Sequence, residues 1–236
     1  GNHVAVSHPE FADLNFSALN RTVVYAFADL LGPQAPAEEV DGECARFRKG
    51  HALEDDLGLL RVYHRLGARY LTLTHMKSNG LGDASTDEPR WGGLSPLGRE
   101  VIREMNVLGM MVDVSHVSDD AVRGVLEVSR APVLASHSAC RALCDVPRNL
   151  PDDLIRAIAE RGGVVQVCFY PAFLSGEFIR RDEEVRTRLA PEMQALETEL
   201  QEDPEALREA RRRLLEEHRP EPPPVEELID HVAHAL

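Results

Sequence analysis

The sequence is short of basic residues, of paired cysteines and of long apolar runs, and each shortage removes a class of function. Lysine and arginine number 26 against 40 aspartates and glutamates, a formal charge of −14 over 236 residues. No basic field remains to hold phosphates, so no nucleic-acid or anionic-membrane surface is expected, and small molecules or proteins are the expected partners. The four cysteines, Cys44, Cys140, Cys144 and Cys168, lack the CxxC pairing of a zinc knuckle. In a chain this long they read as buried free thiols and not as a disulfide framework. No apolar run approaches the roughly 18 to 20 residues that a bilayer span needs. The amino-terminal GNHVAVSHPEF also lacks a basic region followed by an apolar one. The chain is therefore expected to work in the cytoplasm, without a membrane segment.

What is present, from residue 54 onward, is an alternation of helical and extended patterns. EDDLGLLRVYHRLG places Leu57, Leu60, Tyr63 and Leu66 near helical spacing and stops at Gly67. RYLTLTH follows as a strand. SPLGREVIREMNVLG opens with Ser95 as a helix cap and Pro96 at the first helical position, carries Leu97, Val101, Met105 and Leu108 on one stripe, and ends at Gly109. MMVDVSH is the next strand. Ser118 caps a helix bearing Val122, Val125 and Leu126, Pro132 opens the strand VLAS, and LPDDLIRAIAERGG repeats the helical design with Leu154, Ile155 and Ile158 inward. VVQVCFY is a near-continuous apolar strand, as expected where both faces are covered. Four strands separated by amphipathic helices predict a parallel α/β sheet, because parallel neighbours need crossovers and helices supply them. Residues 181–218, dense in Glu and Arg, predict a long charged helix or a helix pair broken near Pro204, a solvated excursion from one domain spanning residues 1–236. RPEPPP then reads as a stiff connector and VEELIDHVAHAL as a further amphipathic helix.

Three of these strands end in Ser-His or Thr-His: His75, His116 and His137. In parallel α/β folds, ligands gather at the carboxyl ends of the strands. His116 and His137 are separated by one strand–helix–strand unit, which places them on neighbouring strands facing one mouth, and neutral imidazoles converging there suggest a divalent-metal site. Arg148, on the loop after the third His-bearing strand, is either a clamp for a substrate carboxylate or an ordinary surface arginine.

These segments, in this order and spacing, resemble the membrane (renal) dipeptidase family, the M19 zinc metallopeptidases. The resemblance runs from about Gly50 to Leu174 through GHALEDDLGLLRVYHRLGARYLTLTH, GGLSPLGREVIREMNVLGMMVDVSHVSD, APVLASHSACRALCDVPRNLPDD and GGVVQVCFYPAF. It implies a TIM-like (β/α)8 barrel, incomplete in this chain, with two Zn2+ ions at its mouth and hydrolysis of small dipeptides by a metal-bound hydroxide. On the matching positions, His116 and His137 resemble zinc ligands. His75 resembles the histidine that contacts the substrate and the developing oxyanion, and Arg148 the arginine that holds the substrate's carboxylate. Asn149 and Tyr170 fall in segments near the family's substrate pocket.

Three departures accompany the resemblance. The family's His-x-Asp on its first strand has its nearest counterpart in His8 and Glu10, a His-x-Glu. Arg48 stands where a bridging glutamate belongs, with Glu43 nearby, and a cation there would repel metal ions. The family's late aspartate would follow VEELIDHVAHAL. Two accounts fit: a piece of a catalytic parent, or a diverged homologue without activity. The intact VSH, ASH and VPRN segments favour the first. A non-catalytic assembly protein using the charged excursion, and a related hydrolase acting on another carboxylate-bearing substrate, are the alternatives. A homodimer stays open.

Overall fold

In the computed structural model the described residues are 4–7, 53, 56–201 and 203–236. They form an α/β fold around a five-stranded sheet of order β1-β5-β4-β3-β2. The strands are β1 (Val4–Ser7), β2 (Tyr70–Thr72), β3 (Met111–Asp113), β4 (Leu134–Ser138) and β5 (Val164–Val167). The last four run parallel, with Thr72 beside Asp113 and Leu134 beside Val164. β1 lies antiparallel on β5, so that Ser7 sits beside Val164 at the amino end of its neighbour. Helix α1 (Leu57–Arg65) precedes β2, and between the parallel strands come α2 (Pro96–Leu108), α3 (Asp119–Val128) and α4 (Asp152–Glu160). This is the repeating unit of a (β/α) barrel, present in part.

Local chemistry sets these boundaries. The Ser95 hydroxyl accepts from the Gly98 amide, Pro96 occupies the first turn, and Gly109 closes α2 in the left-handed region at φ 72°. Ser118 caps α3 by accepting from Ala121, with Asp119 and Asp120 favourably placed at the positive end of the helix. Each helix buries its apolar stripe on the sheet. Val101, Ile102 and Met105 of α2 are at most 1% exposed, and each such burial contributes about 1.5–3 kcal/mol. Ile102 was not on the stripe read from sequence. Leu66, read from sequence with Leu57, Leu60 and Tyr63 at helical spacing, is the C-cap of α1 and 42% exposed, because the helix has already ended there. On β5, Val165 and Val167 are buried while Val164 and Gln166 are half-buried, so that strand alternates instead of being covered on both faces.

Beyond β5, the short α5 (Pro171–Leu174) leads into α6 (Gly176–Glu199) and α7 (Pro204–Glu217), a charged pair packed on each other. Only Phe178 and Leu189 of α6 are buried, and no residue of α7 is. Ion pairs such as Arg186–Asp182, Arg213–Glu217 and Arg211–Glu197 lace its surface. α8 (Val225–Ala235) returns to the sheet and packs near β5, β1 and α5. Cys140 and Cys144 are buried free thiols and Cys168 is a half-buried one, with burial pushing Cys140 up to about 11. No helix among the described residues is long and apolar enough to cross a membrane.

Candidate active site

The site begins with backbone geometry at the carboxyl ends of β2, β3 and β4. After Asp113 the chain leaves the ladder through Val114 and Ser115 and reaches His116 with φ 67°, the left-handed region that a β-carbon disfavours. Neighbours hold this turn in place. The His116 carbonyl accepts from the Thr74 hydroxyl at 3.0 Å and from the Ser85 amide at 2.8 Å, linking the loops after β2 and β3. The turn swings the imidazole inward, leaving the residue 7% exposed.

His137 lies within β4, which begins one residue later than the sequence pattern suggests and runs on through it. The Nε2 atoms of His116 and His137 are 2.8 Å apart, a hydrogen bond whose direction depends on which ring carries the proton. His75 stacks on His116 with ring centroids 4.2 Å apart and an interplanar angle of 26°. The three strand-end histidines are thus gathered into one cluster. Burial, reinforced by the charge of Arg148 and by His137 and His75, pushes the His116 imidazole from 6.5 down to about 2. It is neutral at physiological pH and offers a lone pair instead of a charge.

Arg148 is buried beside this cluster. Its Nη2 donates to the His137 carbonyl at 3.1 Å, and its guanidinium lies 5.1 Å over the Phe173 ring. Burial pushes it down to about 10, opposed by the nearby Asp113, so it remains a cation at neutral pH. Tyr170, 52% exposed, meets the same Phe173 edge-on at 5.1 Å, giving a stack that runs from the guanidinium to the rim. Asn149 is turned into its loop. Its Nδ2 donates to the carbonyls of Cys144 and Phe173, both at 2.8 Å, while its buried Oδ1 has no hydrogen-bond partner among the described residues. A substrate contact from Asn149 would have to use that oxygen. His8, Glu10, Glu43 and Arg48 lie outside the described residues.

The residues that organise this cluster did not stand out in the sequence. Asp113, Thr72, Ser115 and Ser136 form a buried polar network beneath His137. Its available signal was a carboxylate inside an apolar strand, since a buried charge requires partners.

The donor chemistry fits part of a metal site. The two imidazoles present Nε2 to one another, and the buried Nδ1 of His116 has no hydrogen-bond partner among the described residues. Zinc takes imidazole nitrogen readily but completes a set of four. Among the described residues no group of three or more His, Cys, Asp or Glu is placed to hold an ion. The two imidazoles of His116 and His137 amount to two of the four donors that such a set needs.

Comparison with known proteins covers most of the chain. The sequence profile of the membrane dipeptidases, peptidase family M19, matches residues 46–236. A dipeptidase of Claviceps purpurea is 38% identical over 178 residues, 71% of this chain and 42% of that protein. An uncharacterized dipeptidase of Schizosaccharomyces pombe is 46% identical over 126 residues, 53% of this chain and 31% of that one. Among solved structures, the probable dipeptidase PvdM from Pseudomonas aeruginosa superposes with a TM-score of 0.62 at 32% identity, covering 79% of this chain and 52% of the other. The chain spans less than half the length of these two curated relatives.

Proposed function

The chain belongs to the membrane dipeptidase family, peptidase family M19, and from that premise we propose that it carries the histidine and arginine side of a zinc-dependent dipeptidase site. The observation that supports this reading most is the pairing of His116 and His137 through their Nε2 atoms, with a buried cation, Arg148, alongside.

In this reading His116 and His137 would hold zinc, which would supply Lewis acidity and an activated water. The protein's own groups do the rest. Arg148 binds the free carboxylate at the substrate's C-terminal end, and its desolvated surroundings strengthen that charge pairing. Packing on Phe173 keeps the guanidinium in one orientation, so little conformational freedom is lost on binding. His75, stacked on His116, donates a hydrogen bond to the carbonyl oxygen as it gains negative charge. Tyr170 forms the outer wall beside the substrate.

The test is hydrolysis of a dipeptide panel by zinc-supplemented protein, with each peptide supplied both with a free carboxyl end and as its C-terminal amide. Cleavage of the free forms is expected, with the amides poorer by about 10-fold or more, because hydrogen bonds to charged groups contribute about 1.5–3 kcal/mol. Equal cleavage of both forms would remove Arg148 from its role. No cleavage of any peptide would remove the proposed activity from this chain.

A further inference from the structure

Beneath His137 lies a carboxylate whose acceptor positions are all engaged. Asp113 is fully buried. Its Oδ1 accepts from the amides of Ser115 and Ser136, both at 3.0 Å, and its Oδ2 accepts from the hydroxyls of Thr72 and Ser136, both at 2.7 Å. One side chain thereby ties together the carboxyl ends of β2, β3 and β4. The Ser136 hydroxyl is shared further, since its oxygen also lies 2.7 Å from Nδ1 of His137.

That sharing fixes a direction. A hydroxyl has one proton to donate, while an ionised carboxylate only accepts and an imidazole nitrogen can do either. With the Ser136 proton directed to Asp113, the same oxygen must accept from His137, which places that ring's proton on Nδ1. Nε2 is left with its lone pair, aimed at His116. The backbone is fixed as well, because the His137 amide donates to the Ser115 hydroxyl at 2.9 Å.

We propose that Asp113 and Ser136 form a positioning relay that sets the tautomer of His137, so that Nε2 is presented as a ready-made donor atom at the mouth of the sheet. The functional use of that atom rests on the reading of His137 as a metal ligand. The tautomer itself does not. A second observation agrees with it. If His137 Nε2 is an acceptor, the 2.8 Å contact is made by His116 donating from its own Nε2, which leaves His116 Nδ1 as a bare lone pair. That atom is a buried nitrogen without a hydrogen-bond partner among the described residues. A buried unmatched acceptor is tolerated more readily than a buried unmatched N–H. The reverse tautomer of His137 would require His116 Nε2 to accept and would place an orphan N–H at Nδ1.

Polar groups behind a ligating histidine orient it and raise its basicity, and losing one typically weakens metal binding about 10- to 100-fold. The test is long-range 1H–15N correlation spectroscopy on the metal-free chain, at a pH where the His137 ring is neutral. A pyrrole-like shift at Nδ1 and a pyridine-like shift at Nε2 are expected. Ser136→Ala should move both shifts toward the opposite tautomer and weaken zinc binding by about 10- to 100-fold, and Ser136→Thr, which keeps the hydroxyl, should restore both. A parent spectrum with the proton on Nε2 overturns the relay even if neither variant folds. Unchanged shifts in Ser136→Ala overturn it too. The expected tautomer in a chain that retains no zinc would support the relay and remove the ligand reading, whereas zinc retention with the reverse tautomer would do the opposite.

Discussion

His116 occupies a backbone conformation that L-residues other than glycine avoid, at a cost of roughly 1–2 kcal/mol. Its neighbours in the chain, Ser115 and Val117, carry no such strain, and the Thr74 and Ser85 bonds to its carbonyl hold the turn against it. The strained turn brings the ring under His75 and against His137. Strain of this kind persists where the surroundings over-determine it, commonly at functional sites. Two substitutions separate strain from chemistry. His116→Ala and His116→Gly both remove the imidazole, but only glycine accepts a φ of 67° freely. The glycine variant is therefore expected to be the more stable of the two by about 1 kcal/mol in chemical denaturation, with zinc binding weakened equally in both. A glycine variant no more stable than the alanine variant would show that the turn is not strained.

Helix α2 sets the next scale, because its close approach to the preceding loop helps frame the site. A β-carbon on Gly98 would overlap the Leu81 carbonyl oxygen well inside van der Waals contact. That carbonyl accepts from the Ser95 amide, so it cannot simply retreat. Gly98→Ala is expected to destabilise the protein by about 1–3 kcal/mol, the usual cost of overpacking, despite alanine's higher helix propensity. A thermal melt matching the parent would show that the loop yields. The helices were legible in the sequence because their signals are local: Ser95 with Pro96, Ser118 with two acids, and Gly109 at an exit. The strands were legible as apolar runs but not in extent. RYLTLTH and MMVDVSH each give only three residues of ladder, Tyr70–Thr72 and Met111–Asp113, after which the chain turns into the loops that carry His75 and His116. The antiparallel placement of β1 on β5 left no trace in the sequence, because pairing between distant segments is not a local property. The strand-end histidines were readable from spacing and motif, whereas the Asp113–Ser136 network depended on distances that only the folded sheet supplies.

Across the whole molecule, the return of α8 to the sheet is secured by one buried histidine. His231 Nδ1 accepts from the Cys140 amide at 3.0 Å, which leaves Nε2–H to donate to the Leu174 carbonyl at 3.0 Å. Protonating Nδ1 would break the first bond, and burial accordingly pushes the ring below its ordinary 6.5. The unfolded chain then binds more protons than the folded one below about pH 6.5. The stability carried by this contact is complete above that pH and declines as pH falls toward the lowered folded value. Melting temperature should fall on acidification from about pH 7.5 to about pH 5.5. His231→Gln, which can accept from Cys140 and donate to Leu174 without titrating, should flatten that slope, and an unchanged slope would remove His231 as its source. The proposed activity requires the neighbouring strand ends at His116 and His137 to serve one cation. Equilibrium dialysis of the parent, His116→Ala and His137→Ala against zinc, with bound metal measured by mass spectrometry, tests this directly. The expected result is a parent that retains zinc and two variants each weakened by at least about 10-fold; a parent that takes up none, or variants that bind as the parent does, would contradict it.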